Sequence, residues 1–134
     1  MLTHDTKVLL AQEADIVAAR QAARLLAIEA GFAGSDLTLI ATAVSEIARN
    51  TIAYAGQGEM LFGIADEGGR RGLWVVARDQ GPGIADVALA MQDGYSTGNS
   101  LGLGLPGARR LMDEFEIDSA PGRGTTITMR KWAR

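Results

Sequence analysis

The sequence predicts an α/β fold, a two-layer sandwich with a mixed, mainly antiparallel sheet and helices on one face. Three observations carry that expectation. Two long helical patterns come first, short β-branched runs joined by glycine turns come later, and no regular strand–helix–strand alternation links them. With 134 residues, 47% of them hydrophobic and evenly spread, the chain can build one core but not two. A single domain over residues 1–134 is expected.

Taken in order, Lys7–Leu10 reads as a short apolar strand. A helix rich in Ala, Leu, Arg and Gln follows from about Ala14 to Ala30, and Gly31 stops it. Ser35 is a good N-cap for a second helix, with Asp36 favourable in its first turn. That helix runs to about Ala53, and Leu37, Ile40, Val44, Ile47 and Ala48 form its apolar stripe. Glu59–Ala65 and Leu73–Ala77 read as a hairpin with a turn of several residues, Glu67 to Gly72. A glycine turn at Asp79–Gly83, a short helix from Ala85 to Met91 and a polar loop from Asp93 to Ser100 come next. A third helix is expected from Leu105 or Pro106 to about Glu114. The chain ends in a second hairpin, Glu116–Ser119 and Thr125–Trp132 around a turn at residues 121–124. In its last strand Ile127, Met129 and Lys131 share one face, and Thr126, Thr128 and Arg130 the other.

Composition removes several classes of function. There is no cysteine, hence no disulfide, thiolate zinc site or cysteine nucleophile. The single histidine, His4, lies where chains commonly fray, which speaks against a catalytic triad or a multi-histidine metal site. A net charge of −3 argues against binding nucleic acid through its phosphates. Arg109, Arg110, Arg123, Arg130, Lys131 and Arg134 read as ordinary solvated surface. No apolar run is long enough to span a membrane, and the N-terminus lacks the pattern of a secretory signal, so a cytoplasmic protein is expected.

Seventeen residues are glycine, nearly twice the usual ~7%, and many fall between Gly81 and Gly107. Functional chemistry is therefore expected there. Glu46 and Asn50 stand four apart on one side of the second helix, away from its apolar stripe. A carboxylate beside an amide oxygen suits magnesium, which takes few protein ligands and shares the rest with water and phosphate. The same pair also fits a plain solvated helix face. Asp79-Gln80-Gly81-Pro82-Gly83 follows a strand, so its backbone can approach a flat ligand while the carboxylate accepts from an amino group. A simple strand–helix turn would look alike. Gly102-Leu103-Gly104-Leu105-Pro106-Gly107 opens a helix, where N–H groups and the dipole favour an anion. It lacks the lysine and hydroxyl ending of a Walker loop and does not follow a strand as a Rossmann turn does.

In that order the three motifs resemble the GHKL (Bergerat-fold) ATPase and kinase superfamily, from about Leu37 to Met129. Glu46–Asn50 is similar to its N-box, Asp79–Gly83 to its first glycine box and Gly102–Gly107 to its second, with Gly124-Thr125-Thr126 at its final Gly-Thr element. Within the group the chain looks most like the anti-sigma regulatory serine/threonine kinases, closest to the RsbT type of the stressosome. Asp93–Thr97, Leu101–Phe115 and the ending Gly124–Trp132 carry that likeness.

The resemblance implies the histidine-kinase-like ATPase fold, with ATP and Mg2+ as cofactors. It implies Glu46 as general base and Asn50 as magnesium ligand. Asp79 would hold the adenine amino group, with Gly81, Gly83, Ile84 and Thr126 nearby. Ser96, Thr97, Gly102, Leu103, Gly104 and Leu105 would surround the phosphates, under a lid formed by residues 93–100. The chain carries no histidine-bearing dimerisation helix, so the phosphoacceptor is expected on another protein. By resemblance that is a Ser or Thr of a STAS-domain antagonist, with a second effector (a phosphatase or sigma regulator) taking the released kinase. No nucleic-acid or membrane partner is expected. A nucleotide-gated binding module with little kinase activity is the alternative.

Overall fold

Apolar residues recur every three or four positions along α1 (Glu13–Glu29) and α2 (Ser35–Ala55), and those stripes set how the layers meet. The computed structural model describes residues 2–84, 91 and 104–133, with the side chains of 2–5 excepted. Helix α1 buries Ile16, Ala19, Ala23, Leu26 and Ala27; α2 buries Ile40, Ala43, Val44, Ile47 and Ala48. The alanines let the two helices pack side by side. Asp15 Oδ2 caps the start of α1, accepting from the N–H groups of Ala11 at 2.8 Å and Gln12 at 3.1 Å.

The strands are β1 (Leu2–Leu10), β2 (Gly58–Glu67), β3 (Arg70–Asp79), β4 (Glu114–Ser119) and β5 (Thr125–Trp132). They form one sheet in the order β1-β2-β3-β5-β4, and all four pairings are antiparallel. Leu10, Met60, Phe62, Leu73, Val75, Ala77, Ile127 and Met129 join the buried helix residues in one core. Helix α3 (Gly104–Leu111) packs against α2. Phe62 is fully buried, so Phe62→Ala should destabilise the chain by ~3–5 kcal/mol, read as a fall in the urea midpoint at unchanged slope.

Several local expectations need correction. Strand β1 starts at Leu2, not Lys7, and His4 pairs with Gly63 inside it instead of fraying. Gly34, with φ of 62°, is the N-cap of α2, and Ser35 is already helical. Helix α2 continues to Ala55, where Gly56 ends it. The β2–β3 turn needs only Gly68 and Gly69, both at positive φ, a geometry two consecutive glycines adopt without strain. Helix α3 stops at Leu111, because Asp113 donates its N–H to Arg130 O at 2.9 Å and Glu114 opens β4.

Two of the cations assigned to open surface are also placed otherwise. Lys131 is buried and donates to Leu111 O at 3.0 Å, closing the end of α3. Arg130 pairs with Glu114 at 3.2 Å. The expected helix over residues 85–91 lies outside the described residues, apart from Met91, which packs on the core.

Glu59 joins three strands, pairing with Arg78 at 2.7 Å and Lys7 at 3.4 Å. The hydrogen bond from Arg78 holds its carboxyl below the usual 4.5. A lowered carboxylate pKa stabilises the fold at higher pH, and the contribution is lost as pH falls through the lowered value. Glu59→Gln should therefore make stability fall less steeply in acid, read as urea midpoints measured below pH 4.5.

Candidate functional site

Strand order places the C-terminal end of β3 in the middle of the sheet, beside the start of β5. Asp79 closes β3 there, paired with Thr125. Its Oδ1 accepts the N–H of Gly81 at 2.9 Å and of Thr125 at 3.2 Å, which fixes the carboxylate. Its Oδ2 has no partner among the described residues, so one acceptor oxygen is available for a ligand donor.

The glycines around Asp79 leave no room for a side chain. A Cβ on Gly83 would run into the carbonyl oxygen of Ala120, and one on Gly124 into that of Asp79. Both have positive φ, 79° and 73°. The 79–83 turn is pinned on its far side as well. Gly122 donates its N–H to Pro82 O at 2.8 Å, and Ile84 donates to Ser119 Oγ at 2.8 Å. Ser119 in turn donates to Gly124 O at 3.0 Å and lies 2.8 Å from Thr125 Oγ1, whose hydroxyl is then the donor. Gly83→Ala should cost at least ~1–3 kcal/mol by overpacking, with nucleotide affinity falling in parallel; thermal melts and calorimetry check both.

Helix α2 connects this turn to the start of α3. A Cβ on Gly81 would sit 2.6 Å from Ala55 Cβ, so the end of α2 abuts the turn. Five residues before Ala55 is Asn50, half-buried, its side chain without a hydrogen bond among the described residues. One turn before it Glu46 is 9% exposed. Glu46 Oε2 accepts the N–H of Gly104 at 3.1 Å, and Oε1 accepts from Arg49 Nη1 at 2.9 Å. Gly104 opens α3, so this carboxylate already occupies one of the orphan N–H groups that favour an anion.

Asn50 and Glu46 thus offer one amide oxygen and one carboxylate on the same side of α2. That donor set fits magnesium, a hard ion that takes one or two protein oxygens and completes its shell with water and phosphate. Among the described residues no three His, Cys, Asp or Glu side chains converge, as an all-protein cage would need.

The structure brings together Glu46 with Gly104, and Asp79 with Gly81, Gly83 and Ile84. It redirects two expectations. Thr126 pairs with Arg78, and strand alternation turns it to the face opposite Ile127 and Met129, away from the helices. Thr125 is the residue beside Asp79. The side chain of Leu105 is buried in the core, which leaves only its backbone for a ligand. Ser96, Thr97, Gly102 and Leu103, with the loop over residues 93–100, lie outside the described residues. Sequence reasoning missed Thr125 and Ser119 as parts of the site. The parity of β5 could have found Thr125, which shares a face with Ile127 and Met129. The hydroxyl of Ser119 had no such signal.

Residues 9–131 match the histidine kinase-like ATPase domain family, and the chain belongs to it. It is 51% identical to the serine/threonine-protein kinase RsbT of Bacillus subtilis over 122 residues, covering 91% of this chain and 92% of that protein. It is 35% identical to the anti-sigma F factor of Bacillus licheniformis, over 72% of this chain and 69% of that one. Among solved structures it resembles the RsbU and RsbW domains of a Mycobacterium tuberculosis protein, with a TM-score of 0.60 and 21% identity. That match covers 97% of this chain and 33% of the other. The mycobacterial sensor histidine kinase MprB gives a TM-score of 0.57 at 17% identity, covering 98% of this chain and 99% of that one. These two likenesses show the fold, α/β with helices on one face of an antiparallel sheet.

Proposed function

We propose that the chain is an ATP- and magnesium-dependent protein serine/threonine kinase of the anti-sigma-regulator type, acting as one domain over residues 1–134. It would phosphorylate a STAS-domain antagonist in the cytoplasm and pass between that protein and a second effector, a phosphatase or a sigma regulator. No nucleic acid or membrane takes part in this reading. Among the described residues no helix is long and apolar enough to cross a membrane. The observation that carries the proposal is the position of Glu46, which reaches the first N–H of α3 from the helix that also carries Asn50. The 51% identity to a protein named as a serine/threonine kinase supports it.

In this reading Asp79 Oδ2 accepts from the adenine amino group, and the glycine turn lets the base lie against backbone. Gly81, Gly83 and Ile84 form the base side; Gly102, Leu103 and Leu105, and Gly104 once its N–H leaves Glu46, offer backbone N–H groups to phosphate, and Ser96 and Thr97 add hydroxyls. Asn50 holds magnesium, which neutralises phosphate charge when bound. Glu46 takes the proton of the acceptor hydroxyl as that oxygen bonds to the γ-phosphorus. The bond from that phosphorus to the β–γ bridging oxygen breaks, and ADP leaves. Phosphate transfer from labelled ATP to a purified STAS protein, detected by mass spectrometry, tests the proposal. No transfer to any STAS partner, with ATP bound, would refute the kinase assignment. Asn50→Ala should remove the magnesium dependence of nucleotide binding, seen as equal affinity with and without the ion by calorimetry.

One observation favours a slower, switching role. Both oxygens of Glu46 already accept a hydrogen bond, from Arg49 and from Gly104, so an attacking hydroxyl has to share the carboxylate with those donors. A nucleotide-gated partner-switching module with little turnover is the second reading. The anti-sigma F factors among the relatives are named for opposing a sigma factor and not for an enzyme activity.

A further inference from the structure

Between the solvent sides of α1 and α2 runs a groove of about 460 Å3 that reaches Glu46 but not the Asp79 end of the site. Small residues of α2, Ala41, Thr42 and Ser45, form its floor. Their hydroxyls are committed to their own helix: Thr42 donates to Thr38 O at 2.9 Å and Ser45 to Ala41 O at 2.7 Å. Beside Gln21 and Thr38, the groove's cationic groups are Arg20 and Arg24 from α1 and Arg49 from α2, against the one carboxylate of Glu46. Arg20 and Arg24 are exposed, one helical turn apart, and neither has an ion-pair partner among the described residues. Arg49 bridges to Glu46 while half of its side chain stays open to solvent. In a chain of net charge −3, this gathers cationic groups beside the catalytic carboxylate.

We propose that this groove docks an acidic, Asp- or Glu-rich segment of the phosphoacceptor protein, lying next in sequence to the hydroxyl that is phosphorylated. The inference deepens the kinase reading and rests on it in one respect, that Glu46 marks where the hydroxyl must arrive. Guanidinium groups pair with carboxylates through two parallel hydrogen bonds, so two arginines one turn apart fix direction as well as affinity. A carboxylate of the segment that engages Arg49 also competes for the hydrogen bond Arg49 now gives Glu46. Docking would then loosen the base as it delivers the hydroxyl.

A fluorescein-labelled peptide with four glutamates flanking one serine, and a counterpart with four lysines, provide the probe. Anisotropy should show the acidic peptide binding about tenfold tighter or more, and weakening with added salt as screened charge pairs do. Arg20→Glu/Arg24→Glu should lose about tenfold or more of that affinity, and Arg20→Gln/Arg24→Gln a smaller part. A fluorescent ATP analogue with magnesium should bind native protein and both variants alike, showing that they are folded. Equal binding of the two peptides, or native affinity in the charge-reversed variant, overturns the proposal. So does a single-stranded oligonucleotide that binds more tightly than the acidic peptide. If native protein binds the peptide but not the nucleotide analogue, the kinase reading fails and the groove assignment stands.

Discussion

Replacing Glu46 with glutamine should lower phosphate transfer about 10²- to 10⁴-fold while nucleotide still binds. The expectation follows from what the carboxylate does in the structure. It is nearly buried, and its two oxygens accept from two donors, Gly104 N–H and Arg49. Glutamine keeps the size but has one acceptor oxygen. That oxygen can stay with the part-buried N–H of Gly104, which leaves the amide NH2 facing Arg49. Arg49 is half exposed and can turn to water, so the fold should lose little. What disappears is the group that takes the proton of the attacking hydroxyl. Single-turnover transfer and nucleotide calorimetry, run on the same preparation, separate the two effects. Native-rate transfer by Glu46→Gln would remove Glu46 from the chemistry and favour the switching role. An equal loss of nucleotide binding would instead make it a structural residue.

Much of this site was legible because its residues are spaced by local geometry. Glu46 and Asn50 follow helical periodicity, and the apolar stripe of α2 fixed which side they took. Asp79 ends a strand whose apolar run, Leu73 to Ala77, reads directly from sequence. What was misread depends on contacts between distant segments. Lys131 was assigned to surface as one of several late cations, yet the β5 pattern already put it on the helix face, where Leu111 O receives it. The choice of Thr126 followed a family element and not the strand's parity; pairing with β3 sets Thr125 beside Asp79 instead. Turn length failed for a similar reason. Six polar and glycine residues suggested a wide loop, but Glu67 and Arg70 pair across the strands and only Gly68-Gly69 remain to turn. Ser119 belongs to a hydroxyl network between segments 35 residues apart, which no local pattern encodes.

Asp79→Asn should cut ATP affinity by ~1.5–3 kcal/mol, the range for a hydrogen bond to a charged group, or roughly tenfold to 150-fold. The direction of the side chain makes the prediction sharper than loss of charge alone. Oδ1 of Asp79 is held by the N–H groups of Gly81 and Thr125, and both need an acceptor. In the asparagine variant the single carbonyl oxygen must face those two donors, because turning it outward would set the amide NH2 against them. The NH2 then occupies the place of Oδ2 and points at the adenine amino group, donor against donor. Guanine presents a carbonyl oxygen at that edge, so the same change should help GTP while it harms ATP. Native protein should prefer ATP, and Asp79→Asn should narrow or reverse the preference, measured by calorimetry with each nucleotide and magnesium. Melting temperatures should change little, since both backbone donors keep their acceptor. Equal affinity of the native chain for ATP and GTP would detach Asp79 from base recognition. A variant that lost both nucleotides alike, with its melting temperature lowered, would show that Asp79 acts by holding the turn.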